Sequence, residues 1–170
     1  MKITKSDIFK NGIWLTLPPL LFSLSLMSYL PAALTPALFN QGIPPALAIG
    51  ENVVRSVVFA LPAFFSVGFL TKTQKQGLAL YLVGIALYYL SYAALILFPD
   101  SVWSQSMLGV VATAYTNFFW LIGLGLMGER FYFPEKFRYR PLIYISPVAL
   151  FLIFHITHAV IVYQQNYYTI

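Results

Sequence analysis

The sequence predicts an all-α protein: a polytopic membrane helix bundle of five transmembrane helices in one domain spanning residues 1–170. Three observations lead there. Apolar residues make up 59% of the chain and charged residues only 9%, whereas a soluble domain carries about 25% charge on its water-facing surface. Five apolar runs are long enough to cross a bilayer, which takes about 20 residues of helix. Lys and Arg fall almost entirely on one side of the bundle those runs would build.

The runs cover about 13–30, 52–70, 78–98, 106–127 and 142–163. Hydrocarbon offers backbone groups no partner, so helix is the assignment expected throughout each run. Pro62 falls within the second run and is expected to kink it. With the N-terminus in the cytoplasm, the inner side receives Lys2, Lys5, Lys10, Lys72, Lys75, Arg130, Lys136, Arg138 and Arg140. Arg55 alone lies inside a run, and segments 31–50, 99–105 and 164–170 carry no Lys or Arg. The bias places the N-terminus inside, the C-terminus outside and the protein in a plasma (inner) membrane. Trp14, Phe131, Tyr132, Phe133, Tyr139 and Tyr144 suit the inner interface, and Trp103, Tyr163, Tyr167 and Tyr168 the outer one. The first run has a basic start, but Pro18, Pro19 and the lack of an Ala-x-Ala site read as a retained helix rather than a cleaved signal.

Segment 31–50 contains Pro31, Pro36, Pro44 and Pro45, is largely apolar and is too short to cross. It reads either as an interfacial or re-entrant piece capping the bundle, or as an apolar loop packed on helix ends.

The net charge of +5 needs no nucleic acid, because the basic residues sit where membrane topology puts them. The absence of cysteine removes disulfides, thiolate catalysis and Cys-ligated metals. Phosphate-binding loops, dinucleotide fingerprints, HExxH and G-x-S-x-G are all missing. Asp100, Glu129 and Glu135 fall in loops, where solvated pairing accounts for them.

Polar residues within the runs are costly and therefore informative. Glu51 and Arg55 are spaced i,i+4, beside Asn52, and can pair on one helix face. Either the pair pins a helix end at the interface, or Arg55 grips a phosphate or carboxylate with Glu51 orienting it. His155 and His158, at i,i+3, share a face of the fifth run; they serve packing, or a site to which Glu51 adds a carboxylate. One helix cannot supply both axial ligands of a haem from that spacing, and no cofactor or metal is specified. Tyr81, Tyr88 and Tyr92 form a stripe on the third run, beside Tyr89. On the fourth, Gly109, Thr113, Thr116, Asn117 and Trp120 recur at three- and four-residue steps, allowing close helix approach and a hydrogen bond from Asn117 across the interface.

Helix sense brings Glu51, Asn52, Arg55, Tyr88, Tyr92, His155 and His158 to the outer half of the bilayer, with Asn117 nearer its middle. These eight are the candidate ligand-binding residues of an outer-leaflet pocket. The function expected is binding of an amphiphile (a membrane lipid, a quinone or a similar small molecule), or service as a subunit of a homo- or hetero-oligomeric membrane assembly. The alternative is a membrane enzyme acting on a lipid-borne substrate with a histidine as general base. A transporter or channel component is third, because no inverted repeat is evident and the polar set occupies one half of the bundle.

Overall fold

The structure, a computed structural model, describes residues 8–133 and 138–167; Lys2, Lys5, Glu135, Lys136 and Tyr168 lie outside the described residues. Helix α1 (Ile13–Leu26) ends in a 3-10 turn, Met27–Tyr29, and is followed by a second 3-10 turn (Ala32–Leu34) and a short α2 (Pro36–Phe39). Helix α3 (Pro45–Ala60) runs through the 3-10 turn Leu61–Phe64 into β1 (Phe65–Val67), and α4 (Lys72–Leu97) follows. Four helical pieces come next: α5 (Val102–Gln105), α6 (Met107–Val110), α7 (Ala112–Tyr115) and α8 (Asn117–Met127). Strand β2 (Gly128–Phe131) and the long α9 (Pro141–Tyr167) complete the chain. The fold is mostly helical, and three helices are long and apolar enough to cross a membrane: Pro45–Phe64, Lys72–Leu97 and Pro141–Tyr167.

The helix boundaries depart from the apolar runs for local reasons. Helix α3 starts at Pro45 rather than near residue 52, because proline at the first helical position has its φ already set and lacks only an N–H that would go unbonded anyway. It stops as an α-helix at Ala60. Pro62 has no N–H to give the carbonyl of Val58, so the chain tightens into the 3-10 turn and then extends, instead of continuing as a kinked helix. Residues 65–67, expected to be helical, pair with β2 in an antiparallel ribbon that satisfies their backbone by another route. Helix α4 begins at Lys72, ahead of its apolar run, on a capping box in which Thr71 and Gln74 satisfy each other's backbone N–H groups. The fourth run is broken into α6, α7 and α8, where polar side chains compete for helix carbonyls. Thr116 Oγ1 donates to the carbonyl of Ala112 at 2.6 Å, and Asn117 Nδ2 donates to those of Thr113 and Ala114 at 2.8 and 3.1 Å.

Segment 31–50 is ordered by its prolines and one glycine. Gly42 adopts φ 69°, the left-handed conformation that lets the chain turn back into α3. Leu34 and Ile43 are buried with Leu95, Val110 and Val162, so the segment seals one end of the bundle. At the other end lies the ribbon, onto which the chain before α1 also bonds: the Gly12 N–H donates to the Phe65 carbonyl at 3.0 Å, and the Val67 N–H to that of Lys10 at 2.8 Å. Trp14 and Phe133 are exposed there, as an interface position requires, but Tyr132, Tyr139 and Tyr144 are buried instead. Tyr139 and Tyr144 pack against Phe65 in the ribbon-end core. Burial pushes the Tyr139 phenol up, and it stays a neutral donor to the carbonyl of Gly125 at 2.7 Å.

The tightest helix pair is α4 with α8, while α9 packs on both α3 and α8. Glycines make the α4–α8 contact possible. A Cβ on Gly84 would stand 2.3 Å from the backbone nitrogen of Trp120, and one on Gly123 would stand 2.5 Å from that of Tyr81. Backbones this close exclude any side chain between them.

Candidate functional site

Glu51 organises the site. It lies on α3 with Val58 two turns on, and the pair marks the face turned into the bundle. Only 1% of Glu51 is exposed, so its carboxylate requires partners to offset several kcal/mol of desolvation. Three are present. Arg55, one turn along α3, pairs through Nη2 with Oε1. His155 on α9 places Nδ1 2.9 Å from the same oxygen, and His158, one turn further, places Nδ1 2.6 Å from Oε2.

The aromatic surroundings hold these rings in place. His155 stacks on Phe151 with centroids 5.1 Å apart, and the Arg55 guanidinium lies 5.9 Å from the centre of that same phenylalanine. His158 stacks on Phe39 at 4.2 Å, and its Nε2 is 2.8 Å from the Phe39 backbone carbonyl. Both nitrogens of His158 are therefore engaged. His155 differs: its Nε2 has no hydrogen-bond partner among the described residues, and 18% of its side chain is accessible.

This cluster forms one wall of a cavity of about 580 Å³, a size typical of sites for small organic ligands. Glu51, Asn52, Arg55, Tyr88, Tyr92, Asn117, His155 and His158 all line it. The Tyr88 hydroxyl donates to that of Tyr92 at 3.2 Å. Tyr81, the third member of the stripe, lies outside the lining and donates to the carbonyl of Leu15 at 2.7 Å. Asn117 bonds carbonyls of its own helical run and accepts from Trp120 Nε1 at 2.9 Å, not across a helix interface as its position in the run suggests. The apolar part of the lining comes largely from α1 and the segment after it, including Leu20, Leu24, Met27 and Leu30. Exposed residues reach the cavity from α1 (Leu20 and Leu24), from α2 and the turn after it (Pro36 and Asn40) and from α3 (Asn52 and Ser56), so its mouth lies between these helices.

Phe39, Phe59, Phe151 and Ser23 also line the cavity and were not marked by the sequence, and Thr113, marked only for helix packing, lines it too. Phe151 carried a usable signal, since it precedes His155 by one helical turn. Phe39 carried none: its contribution is a backbone carbonyl delivered by a proline-rich turn distant in sequence. A histidine–carboxylate metal set is not what the three side chains form. Their nitrogens and oxygens meet as hydrogen-bonded pairs, and among the described residues no group of three His, Cys, Asp or Glu is placed to hold a metal. The chain matches no protein-family model, no curated protein and no solved structure.

Proposed function

We propose that this is a five-pass membrane protein that binds an amphiphile, such as a lipid or quinone, in the cavity between α1, α3, α4 and α9. One observation carries the reading: a polar cluster on the buried Glu51 and an apolar lining from α1 share a single cavity whose mouth lies between helices. A polar head would meet the cluster while its tail lies along α1, and access between α1 and α3 suits a ligand arriving from the bilayer. The same surface suits a role as a subunit of a homo- or hetero-oligomeric membrane assembly.

In this reading the two shorter helical stretches also cross. Residues 13–29 reach roughly 26 Å and residues 107–127 roughly 31 Å at ~1.5 Å per residue, near the thickness of the hydrocarbon. Lys10, Lys72, Lys75, Arg130, Arg138 and Arg140 flank the ribbon end, and the described residues of the opposite end have no Lys or Arg outside α3. The ribbon end therefore faces the cytoplasm of a plasma membrane, the C-terminus lies outside, and the cavity opens to the outer leaflet.

The test is whether an amphiphile accompanies the protein. Purified in a neutral detergent and extracted into organic solvent, the wild type should yield one class of lipid at near-equal stoichiometry by mass spectrometry. Leu24→Trp, at the exposed mouth, should lose it while keeping the wild type's helical circular dichroism and a cooperative unfolding transition, at a temperature lowered by the loss of the bound lipid. Equal and unselective lipid in both samples would overturn the proposal.

A second reading, an enzyme acting on a lipid-borne substrate, is favoured by His155. A carboxylate that receives Nδ1–H orients an imidazole and leaves Nε2 directed away as a proton acceptor, the arrangement general bases use. His155, not His158, is the base in that case, because both nitrogens of His158 are engaged. Turnover of the co-purifying lipid that is lost in His155→Gln would establish it.

A further inference from the structure

We infer that the cavity takes an amphiphile whose head carries a single negative charge, with a phosphate monoester fitting better than a carboxylate. This rests on the binding function proposed above and adds the chemistry of the head. It follows from a proton count that the geometry dictates.

A backbone carbonyl only accepts, so the contact between His158 Nε2 and Phe39 requires a hydrogen on Nε2. The 2.6 Å contact between His158 Nδ1 and Glu51 Oε2 then requires a second proton between those atoms, since two lone pairs would repel at that distance. If nitrogen holds it, a cation faces a carboxylate. If oxygen holds it, a neutral ring faces a neutral acid. In both cases Glu51 and His158 together are neutral. His155 reaches Glu51 Oε1 through Nδ1; taken as the neutral ring, it donates there and keeps a lone pair on Nε2. Arg55 is always protonated, and among the described residues no other charged side chain lines the cavity. The site therefore keeps one net positive charge wherever the shared proton resides.

The Arg55 side chain that carries this charge is 40% accessible, so without a ligand the charge is met by its surroundings, and a head that displaces them must bring one negative charge in their place. Among the described residues Arg55 hydrogen-bonds only Glu51 and, at 3.4 Å, Asn52, which leaves donors free. Arg55 and His155 share one oxygen of Glu51 and both lie against the ring of Phe151, so a single head can meet both. His155 Nε2 asks that head for a donor. A phosphate monoester, whose second pKa is about 6 and which takes up one proton near neutral pH to bind as the monoanion, then has acceptor oxygens for Arg55 and a P–OH for His155; a carboxylate has only the former. The apolar tail would lie on Leu20, Leu24 and Met27.

The experiment is equilibrium competition on the purified wild type in neutral detergent, using hexadecyl phosphate, palmitate, hexadecanol and inorganic phosphate. Hexadecyl phosphate should bind tightest and palmitate next, with hexadecanol and inorganic phosphate weaker than either anionic amphiphile by about tenfold or more, the scale of one charge-assisted contact. Arg55→Gln should bring hexadecanol level with the two anions, and Arg55→Lys should keep part of the preference. Hexadecanol binding as tightly as the anions to the wild type would overturn the charge inference and leave amphiphile binding standing. Palmitate binding more tightly than hexadecyl phosphate would overturn the assigned role of P–OH. Inorganic phosphate equalling hexadecyl phosphate would make this a free-anion site and overturn both readings, as would saturable binding of none of the four. The wild-type comparison decides these outcomes even if an Arg55 variant fails to fold.

Discussion

Glu51→Gln and Glu51→Ala should differ sharply in stability, and the difference follows from the hydrogen-bond geometry. A glutamine at 51 keeps one carbonyl oxygen, which can receive Arg55 and His155 as Oε1 does now. Its amide nitrogen takes the place of Oε2 and can donate to His158 Nδ1, while His158 Nε2 still donates to Phe39. The amide thus reproduces the protonated form of the carboxylate, with every partner kept and the net charge of the site unchanged. The cost should be about 1 kcal/mol, that of weakening hydrogen bonds from charged to neutral. Alanine takes the acceptor from Arg55 Nη2 and from Nδ1 of both imidazoles; Arg55 keeps Asn52 and His158 keeps Phe39, but His155 is left without an acceptor among the described residues. With Arg55 partly exposed, the cost should be about 3 kcal/mol, the low end for a broken buried pair. Reversible unfolding of purified variants in mixed detergent micelles, followed by circular dichroism, measures both. Equal losses for the two substitutions, or less than about 1 kcal/mol for alanine, would refute Glu51 as the hub of the cluster.

Gly84→Ala should destabilise by about 1–3 kcal/mol in the same assay, because its methyl group would sit 2.3 Å from the Trp120 nitrogen; a change within about 0.5 kcal/mol would show that α4 and α8 can separate cheaply. Tyr139→Phe removes the bond to the Gly125 carbonyl and leaves that buried acceptor unpaired, costing about 1–3 kcal/mol by thermal unfolding. Phe39→Ala keeps the backbone carbonyl but removes the ring stacked on His158. It should speed hydrogen exchange in segment 31–44 with little change in α4, whereas unchanged exchange would mean the ring does not hold that end closed. A periplasm- or exterior-dependent reporter fused at the C-terminus should be active, and activity only in the cytoplasm would refute an odd number of crossings.

What the chain determines by itself is its solvent and the positions of its costly residues. Scarce charge and long apolar runs depend on composition along the chain, which any fold of these residues must accommodate. For that reason Lys72–Leu97 and Pro141–Tyr167 are legible as helices of membrane-spanning length. Spacing likewise exposed the pairing of Glu51 with Arg55 and the shared face of His155 and His158, because i,i+3 and i,i+4 neighbours meet within one helix whatever surrounds it. Local competition was harder to see. Pro62 ending α3, and Thr116 and Asn117 interrupting the fourth run, turn on which carbonyl a side chain or ring reaches, and hydropathy is blind to that. Tertiary structure alone decided the rest. That both histidines converge on Glu51, that a carbonyl from Phe39 engages His158, and that Tyr144 is buried rather than interfacial are outcomes of contact between segments far apart in sequence. Such contacts are set by how the helices pack, and here close approach at Gly84 and Gly123, not the pattern of apolar residues, sets the tightest of them.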